Sequence, residues 1–520
     1  MFDKILLVSL VACMLLTSCE VGKDYVRPDM AIPADYKEAN LWKTARPMDN
    51  ATKDAWWEVF NDSQLNSLEN EVSISNQNLA VKEAQYRQAR ALVDSVQLYP
   101  TLSAGASFTR NRTSGNLTSG GGSSSSANSS ATPAPSSTGT TASSPSSGTS
   151  KSSSSSGSQT TNTNYSLTAT MSWELDIWGK LRRTIEAYQA SAEASFADLE
   201  ALRLSTQAEL AQDYFQLRAL DSQRQILNET IDGFEKTLRI VRNRYESGMT
   251  GKADVLNAET QLKTTVAQAI DLGVQRATLE HAIALLMGKP ASSFSIPFTP
   301  LSFMTPAIPN GVPSELLERR PDIAAAERRV AAANAQIGVA VAAYYPSLTL
   351  SPSSGLQSSV IDKLFSWPSL VWSLGAQLTQ AIFDGGLRLA VTEQARANYD
   401  AAVATYRQTV LTAFQEVEDA LSTSEILMAE QRAQDDAVKS AAAASAVALN
   451  QYKAGIIGSV ELIVIQNIEL SNRKTAEIIS GRIMANSVIL IKALGGPWNV
   501  NLLNLRQLER PRESAAAETR

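Results

Sequence analysis

The chain has little of what most enzymes and small secreted scaffolds are built from. Among 520 residues there is one histidine and there are two cysteines, which removes most zinc sites, the histidine-dependent triads and any multi-disulfide framework. No polybasic block occurs: 46 basic residues are spread against 52 acidic ones, for a net charge of -6, so the phosphate-contacting footprint of a nucleic-acid binder is missing. Beyond residue 19 no run of 18 apolar residues occurs, so a bilayer crossing by this chain would have to be a closed β-structure.

The apolar stretch Ile5 to Leu16, preceded by Lys4, is too short to span a bilayer and has the length of a signal-peptide core over residues 1–18. Leu16-Thr17-Ser18-Cys19 ends it and resembles a bacterial lipobox, which implies cleavage before Cys19 and acylation of that cysteine with palmitate. Cys13 leaves with the signal, so the exported chain keeps one acylated cysteine and no disulfide, and its stability must come from packing.

The chain repeats itself. Tyr99-Pro100-Thr101-Leu102 returns as Tyr345-Pro346-Ser347-Leu348, Tyr245-x-x-Gly248 as Tyr452-x-x-Gly455, and Leu286-Met287-Gly288 as Ala493-Leu494-Gly495. The first repeat is expected over 63–312 and the second over 313–498, between an N-terminal segment 19–62 and a tail 499–520. An offset of 246 at the first pair falls to 207 at the last two, which locates an insertion in the first repeat. It is visible as residues 113–164, almost wholly Ser, Thr, Gly, Asn, Ala and Pro, a composition that builds no core. A floppy loop is expected there, and deletion of Gly120 to Ser156 should leave assembly intact.

Each repeat reads helix, two strands, long helix, shorter helix. Leu227, Ile231, Phe234, Leu238, Val241 and Tyr245 follow a helical period, as do Tyr399, Val403, Tyr406, Val410, Phe414, Val417 and Leu421. Leu181 to Ser247 holds 67 residues without proline, a rod of roughly 100 Å. Such rods call for coiled-coil packing. Helices are expected at 63–98, 181–247 and 252–287, and again at 313–344, 388–454 and 459–494. Two of the shorter ones laid end to end match one long one.

Strand pairs are expected at about 101–176 and 347–384. Tyr165, Leu167, Ala169, Met171 and Trp173 alternate with polar residues, and Leu370, Trp372, Leu374, Ala376 and Leu378 do the same. Trp173, Trp178, Trp367 and Trp372 sit at strand ends or on the apolar face, as interfacial aromatics do. Four strands cannot close a barrel without leaving unpaired edges in lipid, whereas three copies supply twelve.

Several signatures in order then carry a family resemblance over nearly all of the exported chain. They are Gly22-Lys23-Asp24-Tyr25-x-Arg27-Pro28, Trp57-x-x-Phe60-x-Asp62-x-x-Leu65, Trp173-Glu174-Leu175-Asp176-x-x-Gly179, the two Tyr-x-x-Gly turns, Leu317-x-Arg319-Arg320-Pro321-Asp322-Ile323-x-x-Ala326-Glu327 and Lys492-Ala493-Leu494-Gly495-Gly496-x-Trp498. The chain resembles the TolC-like outer-membrane efflux proteins, OprM-type lipoprotein branch. The resemblance implies a mainly helical homotrimer with a twelve-stranded outer-membrane barrel and a twelve-helix periplasmic tunnel. It also implies a lipid anchor in the outer membrane, docking on a periplasmic adaptor and an inner-membrane pump, and a part in multidrug resistance.

Passage through such a duct is passive, and no cofactor, metal or catalytic residue is expected beyond the lipid on Cys19. His281, alone in mid-helix, reads as a packing or surface residue. Arg320-Pro321-Asp322 reads as a helix start, with proline in the first turn and acid at the positive end of the dipole. Candidate sites fall at the two hairpin tips. By resemblance, adaptor contacts are expected at Tyr245, Gly248, Met249, Thr250, Tyr452, Gly455, Ile456 and Ile457. Asp254 and Glu461 hold equivalent places, so threefold symmetry makes each a ring of carboxylates that favours cations, unless they cap or bridge neighbouring helices. OprM-type relatives carry an acidic and a basic residue slightly beyond the second tip, where this chain has Val464 and Asn467, which suggests an apolar constriction in place of a polar latch. The competing readings are a lipid-anchored periplasmic coiled-coil adaptor or structural protein without a channel, and an exported hydrolase, for which no convergent carboxylates are found.

Overall fold

A computed structural model describes residues 21–29, 55–96, 98–112, 161–302 and 320–496. The signal segment, Cys19, residues 113–160 of the expected insertion, the start of the second repeat at 313–319 and the tail lie outside the described residues; residues 161–164, expected within the insertion, instead begin a strand whose backbone pairs with residues 109–112. The described residues form two compact units, one from within 97–176 and 346–380 and the other from the remaining described residues.

The smaller unit is a four-stranded antiparallel meander. Strands β1 (Thr101–Arg112), β2 (Thr161–Leu175), β3 (Ser347–Ser358) and β4 (Leu370–Thr379) lie in the order β1-β2-β3-β4. Their registers align the apolar positions across the sheet: Ala106 faces Leu167, Leu167 faces Leu356, and Leu356 faces Leu370. The other face aligns Ser107 with Ser166 and Ser353 with Ser373, whose hydroxyls meet at 2.7 and 2.8 Å. Pro352 lacks an N–H, and the β2–β3 ladder skips its position and the next before resuming at Leu350 opposite Trp173. The outer edges of β1 and β4 have no strand partner among the described residues.

In the helical unit, the helices are α1 (Ser63–Ser75), α2 (Gln77–Asp94), α3 (Lys180–Glu246), α4 (Lys252–Leu286), α5 (Pro321–Ala342), α6 (Leu387–Ala454) and α7 (Ser459–Ala493). Helix α3 packs on α2, α4, α5 and α7, while α6 packs on α5 and α7. The fold class expected from sequence, mainly helical and internally duplicated with four strands, is that of the chain.

One expected helix is two. The segment 63–98 breaks at Asn76, whose backbone is extended at φ −68° and ψ 122°. Its side chain caps α2 by accepting from the N–H groups of Asn78 and Leu79 at 2.9 and 3.1 Å, and it donates to the Leu286 carbonyl at 2.7 Å. Ser75 Oγ donates to the Met287 carbonyl at 2.8 Å, and Lys289 pairs with Glu71. One amide thus satisfies orphan groups at the start of α2 and the end of α4 together. The second repeat makes the same joint with different chemistry. Buried Arg320, just before α5, donates to the Ala493 carbonyl at 3.1 Å while pairing with Asp322 and Glu416 at 2.6 and 2.7 Å.

The sequence signatures acquire physical roles. Asp62 caps α1 through the Gln64 and Leu65 amides and accepts from the Tyr214 hydroxyl at 2.6 Å, beside a core of Trp56, Trp57, Phe60 and Phe215. The arm 21–29 lies across α3, α5 and α6: Asp24 pairs with buried Arg183 at 2.8 Å, the Tyr25 hydroxyl donates to Glu327, and Arg27 donates to the Tyr406 hydroxyl at 3.2 Å. After α4, residues 296–299 are clasped against α3 and α4. Arg218 donates to the Pro297 carbonyl at 2.8 Å, the Thr299 N–H donates to Asp221 at 3.1 Å, and Arg276 reaches both Asp221 and the Ile296 carbonyl.

Candidate functional site

The two hairpin tips are built alike. Helix α3 ends at Gly248 (φ 73°), where Gly248 N–H bonds the Tyr245 carbonyl and Met249 N–H bonds the Arg244 carbonyl at 2.8 Å; α6 ends at Gly455 (φ 77°), where Ile456 N–H bonds the Gln451 carbonyl at 2.9 Å. A side chain is strained at these left-handed positions, which is why glycine closes both helices.

Their surfaces differ. Tyr245 is exposed, whereas its repeat-mate Tyr452 is buried under the Arg244 guanidinium, 4.6 Å from the ring centre. Arg244 also donates to the Lys453 carbonyl at 3.0 Å. Burial pushes the Tyr452 hydroxyl above its ordinary range, with Arg244 opposing. Met249 and Ile456 project at 70% and 72% exposure, while Thr250 and Ile457 are half-buried.

Asp254 and Glu461 occupy matched positions in different surroundings. The Asp254 carboxylate accepts from Ser459 Oγ of α7, from Thr250 Oγ1 and from the Gly251 N–H. Ser459 first, then Thr250, hold it below the usual carboxylate range. It therefore caps its own helix and ties the first tip to the second. Glu461 is exposed in the first turn of α7. Farther along, Gln261 donates to Asn467 at 2.6 Å, a second polar tie between the hairpins.

Val464 is exposed, and so are Val460 and Ile468 one turn to either side, at 54%, 51% and 51% in chain order from Val460. They form an apolar stripe along α7. Beneath the tips Phe234, Leu238 and Val241 of α3, Ala258 and Leu262 of α4, Ala448 and Tyr452 of α6 and Leu462 of α7 share one buried cluster. The structure thus brings Asp254 and Asn467 into contacts between hairpins, leaves Glu461 and Val464 outward, and adds Arg244, Gln261, Ser459, Val460 and Ile468. The spacing of four around Val464 was a legible signal for the stripe. Ser459 lies 205 residues from Asp254, and nothing local announces that contact.

The family profile described as "Outer membrane efflux protein" matches residues 139–289 and 312–496, more than half of the chain. The chain belongs to the outer membrane efflux protein family. Membership makes it an outer-membrane efflux channel. It is similar along its whole length to the probable efflux pump outer membrane protein TtgC of Pseudomonas putida, at 27% identity over 512 residues covering 95% of this chain and 96% of that one. Outer membrane protein OprJ of Pseudomonas aeruginosa is 29% identical over 505 residues, covering 94% and 95%. Among solved structures, the outer-membrane channel OprN superposes with a TM-score of 0.79 at 28% identity, over 92% of this chain and 99% of that one. The Campylobacter jejuni CmeC channel shares the fold with a TM-score of 0.80 at 23% identity, over 95% and 98%.

Proposed function

We propose that three copies of this chain close one pore and pass solutes through it passively, as the outer-membrane component of a tripartite efflux system. The observation that carries this is the four-stranded sheet whose first and last strands lie at opposite edges, with no further strand beside either among the described residues. In lipid each unpaired N–H or carbonyl is costly, and three sheets joined edge to edge satisfy them all. Each protomer then contributes the polar serine- and threonine-rich face to the inside of a twelve-stranded barrel, and its helices to a twelve-helix periplasmic tunnel.

Energy comes from an inner-membrane pump through a periplasmic adaptor, so the chain performs no bond-making of its own. The exposed tip residues Tyr245, Met249 and Ile456 meet the adaptor, and Val460, Val464 and Ile468 line an apolar narrowing. Acylation of Cys19 anchors each protomer in the outer membrane. Relatives are named for antibiotic, toluene and pyoverdine export, a spread that suits a wet duct better than one selective site.

The test is purification of the membrane-extracted protein: a heat-resistant trimer with discrete single-channel conductance supports the proposal, and a non-conducting monomer refutes it. Mass spectrometry of the N-terminal peptide reads the lipid, whose absence would refute the anchor alone.

A further inference from the structure

A cavity of about 500 Å³ lies between α3, α4 and α7, within the size range of small-molecule sites. Its walls are Leu220, Val274, Leu279 and Ile478, with the amides of Gln216, Gln223 and Gln275 among them. Arg482 is its one ionised lining residue. That guanidinium stands 3.6 Å from Glu430, beyond hydrogen-bond reach, and both side chains are about half exposed, so its charge is only partly offset at the rim.

The groove faces one side of the helical wall. At about 100° per residue, Gln216, Leu220 and Gln223 project from α3 opposite Arg218 and Asp221, which clasp residues 297–299. On α4, Gln275 and Thr278 likewise point away from Arg276 and Glu280, which clasp Ile296. The clasped segment belongs to the connection between the repeats. In the trimer proposed above we place that connection on the outer side of the helical wall, which leaves the groove, on the opposite side, facing the lumen.

We infer that this groove is a resting site, one per protomer, for an amphiphilic organic anion: a flat apolar body against Leu220, Val274 and Ile478, with its acid group at Arg482 and the amides. An apolar wall with one cation and several neutral donors selects that chemistry. The inference rests on the channel reading for its account of how solute arrives, but binding is measured on the purified protein.

The experiment titrates the trimer in lipid nanodiscs with anthracene carboxylate and with its uncharged amide, following ligand fluorescence. The wild type should bind both saturably, the carboxylate more tightly. Arg482→Gln should weaken the carboxylate roughly five- to tenfold, a partly exposed charge-assisted contact, and leave the amide within about twofold. Thr278→Trp, on the exposed rim, should abolish both. Absence of saturable binding, or binding indifferent to Thr278→Trp, overturns the site. Equal weakening of acid and amide by Arg482→Gln overturns the preference for an anion. Conductance recorded on the same preparations separates the two readings: a conducting trimer that fails to bind refutes the groove alone.

Discussion

Replacing Asn76 tests whether one side chain joins two helices. In Asn76→Ala the first turn of α2 loses both cap bonds, about 1 kcal/mol, and the half-buried Leu286 carbonyl loses its donor, about 1 to 1.5 kcal/mol more. Local opening at the joint should therefore rise roughly 30- to 70-fold. Hydrogen exchange with mass spectrometry reads it in two places, the amides at 77–80 and those at 286–289. Asn76→Asp separates the halves, because a carboxylate still caps α2 yet cannot donate to Leu286 and sets a negative charge against the C-terminal dipole of α4. It should speed exchange at 286–289 and leave 77–80 as in the wild type. If Asn76→Ala exchanges like the wild type in both places, or if the two variants are indistinguishable, the double role is wrong.

Glu69 is fully buried, neither carboxyl oxygen has a hydrogen-bond partner among the described residues, and burial raises its pKa from 4.5 to about 9. Between those values the unfolded chain has released the proton that the folded chain keeps, so stability falls as pH rises, by about 4 kcal/mol at pH 7.5. Glu69→Met should flatten the pH dependence of denaturant midpoints from pH 5.5 to 8.5, and an unchanged slope would contradict the assignment. A methyl at Gly355 would stand 2.3 Å from the Leu167 carbonyl oxygen, so Gly355→Ala should push β2 from β3 at about 1–3 kcal/mol and cut the yield of heat-resistant trimer; a normal yield would count against the register. Asp254→Ala and Ser459→Ala should couple in a double-mutant cycle by about 1 kcal/mol after discounting for solvent, read as hydrogen exchange at the tips, and strict additivity would show that they do not interact. Ser459→Ala alone should raise the Asp254 pKa toward the ordinary carboxylate range, which carboxyl carbon NMR can follow.

The long helices were legible because nothing interrupts them: no proline falls between Leu181 and Ser247, and the apolar period continues to Tyr245. The strands were legible from alternation, which the registers then align across the sheet. The break at Asn76 was not, since asparagine inside a helical pattern is only mildly disfavoured, and its decisive partner, the Leu286 carbonyl, lies 210 residues away. The same distance problem governed the tips. Matched numbering made Asp254 and Glu461 look interchangeable, but Ser459 and Thr250 engage one and leave the other exposed. The substitution of Val464 and Asn467 for a charged pair pointed to an apolar narrowing. The structure has the apolar stripe and, through Gln261 and Asn467, a polar tie as well.

The joints at Asn76 and Arg320 make two kinds of beam within one wall. A continuous rod such as α3 or α6 can flex only by stretching its backbone hydrogen bonds along several turns, a stiffness shared over its whole length. Where short rods abut, flexure needs only the few side chains at the joint to let go, and the central residue differs between the repeats, a neutral amide helped by Ser75 and the Lys289–Glu71 pair in one and a doubly ion-paired guanidinium in the other. Compliance is therefore localised and unequal, with the first repeat holding the softer elbow.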